Sequence, residues 1–135
     1  MRPGGDEGKL KLTGRAIYRG RAEGNALVTT QPISFLGGVD PVTGKVTERG
    51  HELLGESVNG RVLVFPCGKG STVGSYILYR LRKNGMAPSA IINEECETIV
   101  AVGAIISEIP CVDRIDLGKV KPDVWLSVDG ATVRF

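Results

Sequence analysis

Lys69 and Ser71 are the residues of this chain whose types and spacing best suit chemistry. They stand in the stretch Phe65-Pro66-Cys67-Gly68-Lys69-Gly70-Ser71-Thr72-Val73-Gly74-Ser75-Tyr76. A thiol, an ammonium and a hydroxyl fall at Cys67, Lys69 and Ser71, separated by glycines that let the backbone approach a ligand. A helix beginning at Ser71 would turn its free N–H groups and positive dipole end toward the same spot. That combination suits an anion, or negative charge that develops during a reaction. The same serine is equally a good helix N-cap, so a plain structural role stands beside the chemical one. Two nucleotide motifs fail here. Lys69 is followed by Gly70, not by Ser or Thr, which breaks the phosphate-loop pattern. Gly68-x-Gly70-x-x-x-Gly74 is one residue too long for the dinucleotide fingerprint.

The elements that must position this loop read clearly. Arg61-Val62-Leu63-Val64-Phe65 is a short apolar run, hence a buried strand. Pro66 ends it, having no N–H for a ladder. After Ser71 the period changes: Val73, Ile77 and Leu81 recur every fourth residue, which predicts a helix. Arg80, Arg82 and Lys83 suit its last turn, and Asn84-Gly85 closes it. Pro88-Ser89-Ala90-Ile91-Ile92-Asn93 reads as the next strand, parallel to the first because a helix crosses between them. Glu97-Thr98-Ile99-Val100-Ala101-Val102-Gly103-Ala104-Ile105-Ile106 reads as a buried helix with acids at its start, Gly103 marking close packing and Pro110 ending the segment.

Upstream, residues 1–8 read as a polar, flexible lead with no apolar targeting stretch. One strand is expected from Lys9 to Arg19 and a second over Ala26–Thr30, paired as a hairpin. The turn-rich Ile33–Gly44 segment, with Gly37-Gly38 and Asp40-Pro41, reads as a surface loop that can also line a site. Lys45–Glu56 is polar and carries the lone histidine, His51, more simply a loop residue than a catalyst. Val112–Asp116 reads as a connector. Val124–Val128 and Ala131–Phe135 form a closing hairpin through Asp129-Gly130.

The totals bound the function. The 135 residues make one domain, expected over 9–135, with ordinary apolar (41%) and charged (24%) content. Nineteen glycines imply many turns, as in a strand-rich or mixed α/β fold that is three-layered or barrel-like. A net charge of +2, with bases and acids interspersed, gives no footprint for nucleic acid, and no run is long enough to cross a membrane. Cys67, Cys96 and Cys111 form no C-x-x-C pair, so the chain reads as cytoplasmic, with reduced thiols and no metal site of its own.

Four blocks in order, Ile33–Pro41, Phe65–Tyr76, Ala87–Asn93 and Val102–Ile106, extend the reading. With them the chain resembles the small subunit of the aconitase X family in its archaeal form, from about Lys11 to Phe135. The resemblance implies a swivelling β/β/α domain like that of aconitase. It also implies one half of a two-chain hydro-lyase, whose large subunit holds an iron–sulfur cluster of the [4Fe-4S] type on its own cysteines. In such enzymes a serine after a glycine at a helix start is the general base, and Ser71 matches it. Lys69, Gly70, Thr72, Gly37 and Gly38 are then the expected substrate-binding positions. Aconitase and isopropylmalate isomerase continue Gly-Ser-Ser with Arg-Glu, the arginine holding a substrate carboxylate. Here Thr72-Val73-Gly74 follows instead, which disfavours a tricarboxylate. The substrate implied is (R)-5-phosphomevalonate, dehydrated to trans-anhydromevalonate 5-phosphate in the archaeal mevalonate pathway of isoprenoid biosynthesis. A relative acting on another hydroxy acid, such as cis-3-hydroxyproline, is the alternative within the family. A non-catalytic anion-binding scaffold is the alternative outside it.

Overall fold

The computed structural model describes residues 10–135; the expected lead at 1–8 lies outside them. Eight strands form one mixed sheet: β1 (Lys11–Thr13), β2 (Arg15–Tyr18), β3 (Arg21–Val28), β5 (Val62–Phe65), β7 (Ala90–Asn93), β8 (Cys111–Asp113), β9 (Trp125–Asp129) and β10 (Thr132–Arg134). Their order is β1-β10-β9-β3-β5-β7-β8-β2. The centre, β3-β5-β7-β8, is parallel, and the flanking pairs are antiparallel. A separate parallel pair joins β4 (Ile33–Ser34) to β6 (Gly68–Lys69). The one-turn element α1 (Phe35–Gly38) follows β4, α2 (Gly74–Lys83) follows β6, and α3 (Thr98–Ser107) follows β7.

The sheet curls. Its two edges, β1 and β2, are successive pieces of chain separated only by Gly14, so the architecture is barrel-like without a closed ladder. A side chain at Gly14 would overlap the Asp113 carbonyl oxygen, which is why glycine stands at this crossing. Alternation along the central strands then makes two cores. Val62, Val64, Ala90, Ile92 and Val112 point inward with Leu126, Val128 and Val133. Leu63, Phe65, Ile91 and Cys111 point outward, where Ile77, Leu78 and Leu81 of α2 and Val100 and Ala104 of α3 cover them. Central parallel strands buried on both faces need such continuous apolar runs, and β5 and β7 have them. The result is the expected β/β/α layering. Gly103 lets α3 approach α2, since an added Cβ would stand 2.5 Å from Leu78 Cδ1.

Several expectations need correction. The first strand is two strands with different partners, because Gly14 passes the chain from one sheet edge to the other. The expected hairpin with the second strand does not form, since β3 runs from Arg21 to Val28 between β9 and β5. The presumed connector begins with a buried strand, β8. Its Asp113 is tolerated inside because Arg15 donates Nε (3.0 Å) and Nη2 (2.8 Å) to the carboxylate, and the Cys96 N–H adds a third bond at 2.9 Å. Burial pushes the Asp113 carboxyl up, but those donors outweigh it and hold it below the usual carboxylate range. The parallel β5–β7 pair, α3 and the closing hairpin follow the sequence reading.

Candidate functional site

The glycine loop is built by two constraints. Pro66 ends β5, and its carbonyl accepts the Glu94 and Glu95 N–H groups (3.1 and 3.2 Å), tying the loop to the end of β7. Gly68 and Lys69 then pair with Ile33 and Ser34, so the Ile33–Gly38 segment lies alongside. Gly70, at φ +87°, reverses the chain. Ser71-Thr72-Val73 form a tight turn, with Gly74 N–H donating to the Ser71 carbonyl at 2.9 Å and Ser75 N–H to that of Thr72 at 3.2 Å. Only then does α2 begin. The helix therefore starts two residues later than a cap at Ser71 predicts, with Val73 in the cap position. Ser71 Oγ instead accepts the Val73 N–H at 3.2 Å within the turn. The residue at the true cap position, Val73, has no side chain to offer. The N–H groups of Ser71 and Thr72 find no acceptor among the described residues. Ser71, Thr72 and Val73 are all exposed.

The structure brings the other expected positions to the same end of the sheet. Lys69 Nζ lies 2.8 Å from Glu48 Oε2. Gly38 backs onto that glutamate: an added Cβ would stand 3.2 Å from Glu48 Oε1. Gly37, at φ +82°, has open space around it, and its carbonyl accepts the Thr47 hydroxyl at 3.2 Å. Gly70 lies against Ser34, whose Oγ would be 2.6 Å from an added Cβ. Lys69, Gly70, Ser71 and Thr72 thus share one neighbourhood with Gly37 and Gly38. Lys69 is already claimed by a carboxylate, so an anionic ligand would have to share its ammonium with Glu48.

His51 belongs elsewhere. It is buried, with Nδ1 accepting the Leu53 N–H (3.1 Å) and Nε2 donating to the Pro32 carbonyl (3.1 Å). Both ring nitrogens are engaged, which assigns it a structural role.

The chemistry here is hydroxyl chemistry. Charge developing on Ser71 Oγ would be met by the Val73 N–H and by the positive end of α2. The thiols behave differently. Burial pushes the Cys67 thiol up, and the carboxylates of Glu97 and Glu94 push it the same way. Cys111 is raised well above the ordinary value by its contact with Cys96, whose sulfur is 4.0 Å away, and by burial. Among the described residues no three His, Cys, Asp or Glu side chains gather to hold a metal. With Cys67 and Cys111 both pushed toward the thiol form, these cysteines do not fit an iron–sulfur cluster.

Three residues near the site escaped the sequence reading of site positions. Ser34 lies within a quoted block but carries no spacing signal of its own. Glu48 meets Lys69 only through tertiary folding. Glu97 is visible as an acid at a helix start, yet nothing local reveals that its carboxylate also accepts the Gly68 N–H at 3.1 Å.

A glycine turn with an exposed serine, set at the parallel end of a curled β/β/α sheet, defines a swivel-type domain. The family described as the aconitase X swivel domain matches residues 11–135, and the chain belongs to that family. It is 57% identical over 120 residues to the phosphomevalonate dehydratase small subunit of Thermococcus kodakarensis, covering 89% of this chain and 90% of that one. It is 65% identical over 107 residues to the protein of that name from Methanosarcina acetivorans, covering 79% and 74%. The crystal structure of Thermococcus kodakaraensis aconitase X in its holo-form superposes with a TM-score of 0.91 at 54% identity, covering 93% of this chain and 97% of that one. No helix among the described residues is long and apolar enough to cross a membrane.

Proposed function

We propose that this chain is the small subunit of a two-chain hydro-lyase that dehydrates (R)-5-phosphomevalonate to trans-anhydromevalonate 5-phosphate, with Ser71 as the general base. Dehydration takes a proton from one carbon and hydroxide from its neighbour, leaving a double bond and water. Ser71 Oγ, as the alkoxide, takes that proton. A serine hydroxyl is a weak base at neutral pH and must be stabilised in its ionised form. The observation that carries the assignment is the hydroxyl's setting, at 3.2 Å from the Val73 N–H beside a helix start that no side chain caps. The unclaimed N–H groups of Ser71 and Thr72 and the half-exposed Lys69 offer donors to an anionic substrate, with Gly37 beside them as open backbone and Gly38 buried behind it against Glu48.

The site is incomplete on this chain. Ser71 faces solvent, whereas such chemistry needs water excluded. Leu36, Val73 and Tyr76 are large apolar side chains exposed around it. A large subunit covering this end of the sheet would bury them and dry the serine. We assign the iron–sulfur cluster of the [4Fe-4S] type to that subunit, because the cysteines here do not gather to hold one. The complex is read as a cytoplasmic enzyme.

The test is anaerobic reconstitution with the large subunit. Neither chain alone is expected to turn over (R)-5-phosphomevalonate, and the complex is expected to release the dehydrated product. Turnover of cis-3-hydroxyproline instead, with phosphomevalonate inert, would overturn the substrate assignment.

A further inference from the structure

Glu97 does two jobs at once. Its Oε2 accepts the Ile99 N–H at 2.7 Å, and its Oε1 accepts the Val100 N–H at 3.1 Å, so it caps α3. The same Oε1 accepts the Gly68 N–H at 3.1 Å. Gly68 lies three residues before Ser71 and is itself forced to be glycine. An added Cβ would overlap Glu97 Oε1 and come within 2.8 Å of Val100 Cγ2. A helix cap needs only a short side chain. A glutamate at this position reaches across to a second element, and the bond it makes there runs to the loop that carries the serine.

Resting on the reading of Ser71 as the base, we propose that Glu97 is a positioning residue. Its carboxylate fixes Gly68 against the N-terminus of α3, and so sets where the Gly70 reversal places the Ser71 hydroxyl. Apart from Glu97, residues 68–71 are held by the two-residue pairing with Ile33 and Ser34, by the Lys69–Glu48 ion pair and by the Ser71 turn bonds, none of which fixes the Gly68 N–H. The loop tip is exposed, so its placement depends on what anchors its root. Displacing a reacting group by about 1 Å is enough to cost on the order of 100-fold in rate.

Two variants separate this role from simple capping. Glu97→Ser keeps a capping hydroxyl but cannot reach Gly68. Glu97→Gln keeps an oxygen able to accept from Gly68 and Val100, while turning an N–H₂ toward the Ile99 N–H and weakening the cap. In the reconstituted two-subunit enzyme with (R)-5-phosphomevalonate, Glu97→Ser is expected to melt only modestly below wild type, through the Gly68 N–H left unpaired, while kcat falls at least about 10-fold with KM nearly unchanged. Glu97→Gln is expected to melt lower yet retain more kcat than Glu97→Ser. Amide hydrogen exchange in the complex is expected to quicken over residues 68–72 in Glu97→Ser, with α3 unchanged. A merely structural glutamate would move kcat and melting temperature together; that result, or unchanged exchange over 68–72, would overturn the proposal. Ser71→Ala in the same assay separates the two ideas. Activity lost in Ser71→Ala but intact in Glu97→Ser removes only the positioning role. Activity intact in both removes the serine assignment itself.

Discussion

The chain makes the passage from a parallel strand to a helix twice, in two different ways. After β7, the chain is tied down at every step. The Glu94 and Glu95 N–H groups bond to Pro66, the Cys96 N–H bonds to the Asp113 carboxylate, and Glu97 caps α3. After β5, the passage is left open. Two glycines and an exposed turn intervene, the cap position holds a valine, and the N–H groups beside Ser71 are unclaimed. A closed junction stabilises the helix it starts. An open one leaves donors and a positive dipole end available to something outside the chain. The two are not independent, because Glu97 of the closed junction grips the root of the open one.

Substitutions test that contrast in order of expected size. Gly68→Ala strikes where the junctions touch. Its Cβ would overlap the Glu97 carboxylate, so kcat of the complex is expected to fall by about 100-fold or more, with a lower melting temperature. Steady-state kinetics and thermal unfolding check it. Next, Gly103→Ala pushes α3 off Leu78 and is expected to cost about 1–3 kcal/mol in urea unfolding of the chain. It should leave kcat within about threefold, since Ser71 depends on the loop root more than on the middle of α3.

The closed junction also predicts a pH dependence. Asp113 has a depressed pKa when folded, so its contribution to stability is present above the unfolded carboxylate range. It is lost as pH falls through the depressed value. Denaturation monitored from neutral pH downward should show stability declining over that acid range, and Asp113→Asn should flatten the decline while lowering stability at neutral pH. The smallest effect belongs to Thr72→Ala. Thr72 is exposed, and its side chain makes no hydrogen bond among the described residues. Stability should stay within about 0.5 kcal/mol, and any change should appear in KM. A large loss of stability there would mean the open junction carries structural weight after all.

What the sequence reveals follows the same division. Strands with unbroken apolar runs, such as Val62–Phe65 and Ala90–Asn93, are legible because burial on both faces demands that composition. The helix over Thr98–Ser107 is legible from its length and its acidic start. The Lys69–Thr72 loop is legible from its glycines. By contrast, β8 is hidden, because Asp113 looks like a surface residue until Arg15, 98 positions away, pairs with it. The break at Gly14 is hidden because its cause is a carbonyl that arrives from the far end of the chain. The true start of α2 is hidden because Ser71 has the composition of a cap while the turn it belongs to delays the helix by two residues. Glu48 and Glu97 are hidden for the same reason as Arg15: their partners are neighbours only after folding.

Ser71→Ala, placed in the anaerobically reconstituted complex with its large subunit and assayed for dehydration of (R)-5-phosphomevalonate, tests the central assignment most directly. The expected result is a kcat lower by at least about 100-fold, with assembly intact and the melting temperature nearly unchanged, since the hydroxyl caps a turn and not the helix. Turnover near that of the wild type would contradict the account and move the base to the large subunit.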